Sequence, residues 1–312
     1  MKKPLLLPVG LLLSLWLLAP AAAVAAPRVL VSLLPLHSLV ASVMQGVGVP
    51  ELLLTGSASP HSFALRPTQL RSLQQAELLV WVGPELETFL ARSVAELKPA
   101  VTVLTLADHP ELNWLAARSG GLQEAAGHHD ENHSARHVHG NRDLHFWLSP
   151  SRAQTLAEIV FRELSRLDPD NAASYQANLQ RLKEELNELK RSLKGKLAGV
   201  RDKPYVVFHD AYRYFEEEFQ VSPAAIVAVN PERPPGARRI GEIRAEIIRS
   251  GIRCVFSEPQ FEPRLVRVLI EGTAARSGTL DPLGAELAPG PAAYEQLLEN
   301  LGRNITACLA QP

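Results

Sequence analysis

"YQANLQRLKEELNELKRSLKGKL", residues Tyr175–Leu197, decides the architecture of this 312-residue chain. Tyr175, Leu179, Leu182, Leu186, Leu189, Leu193 and Leu197 recur at intervals of four, three, four, three, four and four. Side chains three and four positions apart share one face of a helix, so the spacing predicts a single long amphipathic helix. At ~1.5 Å of rise per residue the apolar stripe runs about 33 Å, longer than a crossover between neighbouring strands and suited to bridging two lobes. A coiled-coil seam with a second copy is the competing reading.

Both flanks of that helix alternate short β-rich runs with helical ones. Upstream, "RVLVSLLPL" (28–36) reads as a strand, "HSLVASVMQGV" (37–47) as a helix and "ELLL" (51–54) as a strand. Then come a helix over "PTQLRSLQQA" (67–76), a buried strand over "ELLVWVG" (77–83), a helix over "ELETFLARSVAEL" (85–97) and a strand over "AVTVLTL" (100–106). After Leu106 the pattern fails. Residues 107–141 are rich in His, Gly, Asp, Glu, Asn and Ser and read as a long loop, followed by a Ser/Pro-started helix over 149–168.

Downstream the same grammar resumes: "YVVFHD" (205–210), helix 211–219, "AAIVAV" (224–229), a loop, helix 238–251 and "RCVFSE" (253–258). A helix over 263–278, "TLDPLG" (279–284) and a last helix over Tyr294–Cys308 complete the chain. Strands alternating with helices predict an α/β fold, two lobes each with a mainly parallel sheet. The expected division is a leader at 1–25, an N-terminal lobe at 26–166 that includes the 107–141 loop, a linker helix at 167–198 and a C-terminal lobe at 199–312.

Composition narrows the function classes. The chain is 46% hydrophobic with a formal net charge of −1, so it lacks the basic footprint of a nucleic-acid binder. Lys2 and Lys3, the run Leu11–Leu18 and the small residues "AAAVAAP" read as a secretory signal peptide cut before Ala26, which predicts an exported protein. Only Cys254 and Cys308 are present, and no cysteine stands where a lipid anchor would attach. In an oxidising compartment two cysteines most simply form one disulfide, two buried free thiols being the alternative.

Three histidines stand at or just beyond strand ends: His61 in "GSASPHSFALRPTQ", His145 in "RDLHFWLSP" and His209 in "VVFHDAY". Open α/β sheets bind ligands outside the carboxyl ends of their strands, so the three can converge there. Five more, His128, His129, His133, His137 and His139, crowd a polar stretch interleaved with Asp130, Glu131 and Asp143. His37, His109, Trp81, Trp114 and Trp147 read as packing or solvated residues. Glu258 in "FSEPQFEP" reads either as a support for the site or as part of a strand-to-helix turn.

The motifs "GSASPHSFALRPTQ", "WVGPELE", the histidine-rich stretch leading to "LHFWLSP", "FHDAYRYFE", "NPERPPGA" and "GTLDPLG" occur in order over the mature chain. Together they resemble the periplasmic zinc-binding proteins of bacterial high-affinity zinc ABC importers, within the metal-binding cluster of solute-binding proteins. The resemblance implies a periplasmic, monomeric binding protein that carries Zn2+ in a cleft between two lobes and delivers it to an inner-membrane ABC permease. It implies His61 and His145 as ligands from the first lobe and His209 from the second. Asp281 matches a carboxylate that ligates in manganese relatives. Pro60 stands where some zinc relatives have a carboxylate, so Asp281, a water or a loop histidine is expected to complete the shell, and the five loop histidines to form a weaker auxiliary site. Three imidazoles favour zinc over a manganese or iron carrier, which would use more oxygen donors; copper or nickel is a further alternative. A secreted zinc hydrolase is the remaining alternative, and no H-E-x-x-H signature supports it.

Overall fold

The computed structural model describes residues 26–118, 142–228, 235–261 and 264–310. The expected leader and the five clustered histidines lie outside these residues. β1 (Val29–Val31), β2 (Glu51–Leu52), β3 (Leu78–Trp81) and β4 (Thr102–Thr105) form one sheet in the order β2-β1-β3-β4. A second sheet, β6-β5-β7-β8, is built from β5 (Tyr205–His209), β6 (Ala225–Ala228), β7 (Cys254–Ser257) and β8 (Arg276–Thr279). Every pairing in both is parallel. The α/β expectation of two lobes with parallel sheets is met.

The helices are α1 (Leu34–Val43), α2 (Pro67–Gln75), α3 (Thr88–Ala95), α4 (Pro150–Leu167), α5 (Ala172–Leu197), α6 (Arg213–Phe219), α7 (Ala237–Arg249), α8 (Arg264–Ile270) and α9 (Ala293–Leu309). α5 is the long amphipathic helix, and all seven residues of its stripe are buried. The stripe is buried within the chain, where α5 packs on α1, α4 and α9. α9 crosses back from the second half to lie on α1 and α5.

One apolar cluster runs from the first sheet through α1, α4, α5 and α9 to Tyr205, Val207 and Phe256 of the second sheet. Val206, Phe208 and Val255 point the other way, into a smaller core with Ile243 and Ile247 of α7 and Val266 and Leu269 of α8. That alternation is what a sheet covered on both faces requires. Cys254, the first residue of β7, is bonded to Cys308 on α9, with Cα atoms 6.1 Å apart.

Three expectations are corrected. Residues 34–36 begin α1 rather than extend β1: Pro35 sits in the first turn and all ten residues of α1 are buried, so the run carries no face pattern to tell helix from strand. Residues 107–118 are not loop throughout, because 3-10 turns at 106–108 and 110–112 bury Leu112, and Trp114 packs edge-on against Phe146. The helix expected over 263–278 stops at Ile270, and Arg276–Thr279 forms β8. Gly278 fits there because a Cβ would fall 2.5 Å from the Phe256 ring.

At the end of β3, Gly83 has φ +148°, a conformation open to glycine. The Glu87 carboxylate, fully buried, accepts the amides of Val82 (2.7 Å) and Gly83 (3.0 Å) there. Burial pushes this acid up to about 7, against the opposing pull of Ser32 and those two amides. Between the unfolded-state value of 4.5 and about 7 the folded chain keeps a proton that the unfolded chain releases, so stability falls as pH rises through this window. Glu87→Gln, which holds no titratable proton, is expected to flatten that slope and to gain on the order of 1 kcal/mol or more relative to the parent between pH 5 and pH 8. Parallel slopes in urea titrations at the two pH values would refute a titrating Glu87.

Candidate metal centre

His61 lies in the segment between β2 and α2, His145 starts the 3-10 turn 146–148 that leads into α4, and His209 is the last residue of β5. His209 thus closes β5 at its carboxyl end, and His61 and His145 come to it from the first half of the chain. One ligand-type nitrogen from each lies within 4.8 Å of the other two. The ring centroids are 5.0 Å apart for His145 and His209, 5.5 Å for His61 and His209, and 6.2 Å for His61 and His145.

Two of the rings are oriented by carboxylates. Asp143 Oδ1 lies 2.8 Å from His145 Nδ1 and also accepts the His145 backbone amide at 2.9 Å. Glu258 Oε2 lies 3.4 Å from His209 Nδ1. A carboxylate facing Nδ1 selects the tautomer with its proton there, which leaves the Nε2 lone pair for a metal. Trp147, fully buried, walls the His145 side at 5.3 Å between ring centroids, and Phe261 stands 6.0 Å from His209.

Protonation follows from the same neighbours. Burial, then the adjacent His209 and His145, push His61 down to about 3, so its ring is neutral at any pH near 7. Burial also pulls His209 down, but Glu258, Asp210 and Asp143 more than offset it and raise the group. A cluster of three imidazoles flanked by anions suits a cation. A cavity of about 200 Å³ reaches it, lined by the three histidines with Glu85, Asp143 and Asp210.

The two halves are pinned together around this point. The Tyr214 hydroxyl donates to Asp143 O (2.7 Å) and accepts the Leu115 amide (3.0 Å). The Trp147 indole donates to Pro282 O (2.9 Å), and the Tyr294 hydroxyl to Trp147 O (2.7 Å). Glu218 on α6 accepts from Ser149 (2.6 Å) and Ser151 (3.1 Å) and pairs with Lys190 of α5.

Residues 29–308 match the family described as zinc-uptake complex component A, periplasmic (ZnuA). The chain belongs to this family. The high-affinity zinc uptake system protein ZnuA of Brucella suis biovar 1 (strain 1330) is 42% identical over 306 residues, covering 91% of this chain and 92% of the relative. The ZnuA of Yersinia pestis is 37% identical over 308 residues, 96% of each. Among solved structures, a crystal structure of ZnuA superposes with a TM-score of 0.77 at 22% identity, over 91% of this chain and 99% of that one. The solute-binding protein FpvC of Pseudomonas aeruginosa in complex with Ni2+ gives 0.74 at 19% identity, over 91% and 97%. These two likenesses concern the fold.

In this member of the ZnuA family the structure joins His61, His145 and His209, while Asp281 is engaged elsewhere. Its Oδ1 accepts from Gln260 (2.9 Å) and the amides of Leu283 and Gly284 (3.0 Å each), and Oδ2 accepts the Ala285 amide (2.5 Å). His37, expected to be structural, is buried with Nε2 3.0 Å from Pro50 O. His109 pairs with Glu111 on the surface. Trp81 and Trp147 are core residues. Glu258 faces His209, the supporting role that was one of its two readings. The role of Asp143 was missed, although its position two residues before His145 was the available signal: an aspartate at that offset can fold back on both the amide and the ring.

Asp143→Asn and Glu258→Gln are each expected to weaken zinc binding by about 10- to 100-fold, because each frees a ring to turn and lowers its basicity. Competition against a chromophoric chelator measures this, and affinity within twofold of the parent in both variants would remove their orienting role.

Proposed function

We propose that the chain captures Zn2+ in the periplasm and hands it to an inner-membrane ABC permease, the ion being cargo. The observation that carries the reading is the meeting of three imidazole nitrogens within 4.8 Å, with two of the rings aimed by carboxylates. Nitrogen-rich, tetrahedral shells suit zinc, whereas manganese favours oxygen donors. Of the structural neighbours, FpvC was solved with Ni2+ and with Mn2+, so the fold alone does not choose the metal.

His61, His145 and His209 are the ligands in this reading. The four hydrogen bonds on Asp281 favour water, or a histidine from 128–139, as the fourth. The same engagement disfavours Asp281 as the general base that a hydrolase would need beside metal-bound water. One chain holds all three ligands, which suits a monomer. No helix of the described residues is long and apolar enough to cross a membrane. For transport we divide the chain as 26–166, a linker at 167–198 and 199–312, with α9 returning to the first part.

Titration at controlled free metal tests this with two chains, the full one and one lacking residues 127–140. The expected result is one tight zinc in each, with zinc preferred over manganese, and weaker binding by His128, His129, His133, His137 and His139 present in the full chain alone. Absence of a tight zinc in the full chain would overturn the reading. Its loss on deletion alone would assign the fourth ligand to that segment.

A further inference from the structure

Besides Glu85, which pairs with Arg142, four carboxylates stand beside the three histidines or their walls, and each is held by nitrogen donors. Asp143 is taken by His145, Glu258 faces His209, and Asp281 is taken by Gln260 and three turn amides. The fourth is Asp210. It follows His209 directly, is 9% exposed, and lines the same cavity as the three histidines. Its Oδ1 accepts from Arg118 Nη1 at 2.7 Å, while the other arm of that guanidinium reaches Glu216 of α6. Asp143, Glu258 and Asp281 are held from within their own half of the chain; Asp210 is held by a side chain 92 residues upstream.

We propose that Arg118 is a specificity-determining residue: it keeps the Asp210 carboxylate out of the metal shell, and so holds the site to nitrogen donors against oxygen-preferring divalent cations such as Mn2+. The inference rests on the zinc reading above. A guanidinium is permanently charged, and its planar fork satisfies two carboxylates at once, so it is a firm tether. A buried carboxylate stripped of its cation takes up a proton or another cation. With Arg118 gone, Arg142 on the same cavity is already paired with Glu85, and the cation left for Asp210 is the metal. An anionic oxygen added to three imidazoles raises the affinity for manganese proportionally more than for zinc, which three nitrogens and a water already satisfy.

The test is parallel Zn2+ and Mn2+ competition titration of the full chain, of Arg118→Ala and of Arg118→Ala with Asp210→Asn. Arg118→Ala is expected to raise Mn2+ affinity by about tenfold or more, with zinc affinity moving less than about threefold. The double variant is expected to return Mn2+ affinity to the parent value. General loosening would weaken both metals and would not be reversed by Asp210→Asn. If circular dichroism shows Arg118→Ala unfolded, the set is repeated in Glu216→Gln, which removes the other carboxylate that Arg118 neutralises. An unchanged Zn2+ to Mn2+ ratio in Arg118→Ala, or a raised Mn2+ affinity that persists in the double variant, overturns the assignment. A parent chain without tight zinc binding would instead sink the function reading.

Discussion

His209→Ala is expected to lower zinc affinity by about a thousandfold or more, equivalent to roughly 4 kcal/mol. The loss exceeds one metal–nitrogen bond for a geometric reason. His209 is 4% exposed at the end of β5, and removing its ring leaves the equally buried Glu258 facing an empty volume instead of Nδ1. His145→Ala removes the ring partner of Asp143 but leaves the backbone amide at 145 on the same oxygen, and belongs to the same class through the lost metal–nitrogen bond. His61→Ala is expected to cost less, since among the described residues its ring makes no hydrogen bond and its position is half-buried, so water can occupy the place. Chelator competition on folded variants measures all three. Near-native affinity in His209→Ala would dismantle the three-histidine site.

Trp147→Ala is expected to cost about 3–5 kcal/mol of stability, the range for deleting a large, fully buried aromatic ring. Beyond the volume lost, the indole's donation to Pro282 O across the two halves disappears, as does the wall against the His145 ring. Zinc affinity is therefore expected to fall with stability, whereas a core substitution remote from the centre, such as Ile247→Ala, lowers stability alone. Urea unfolding gives the first quantity and competition the second. A loss below about 1.5 kcal/mol would show that the surroundings collapse to refill the space.

The same residues show what a linear reading can and cannot find. α5 was legible because seven apolar positions at helical spacing leave one solution, and the three histidines stood out because each lies in a recognisable motif. β8 was not, since "RSGT" is polar and its glycine serves the close approach of Phe256 rather than any strand preference. The start of α1 was hidden by burial on every side. Arg118 carried no local signal at all, because its partners Asp210 and Glu216 lie 92 and 98 residues away and meet it only in the folded chain. Asp281 was read through its neighbours in motif space, and its oxygens turned out to hold the turn that follows it.

The return of α9 onto α1 has a consequence in time. Every residue of α1 is buried, and Ser38 on it donates to Pro291 O and accepts the Tyr294 amide, bonds that span more than 250 positions. A chain emerging from its amino end therefore makes the whole first sheet, α4 and α5 while the surface of α1 that α9 will cover still faces water. The first half waits for the last helix, and loop closure over that distance is slow compared with local contacts. Until that helix is released, the face of α1 that carries Ser38 stays uncovered.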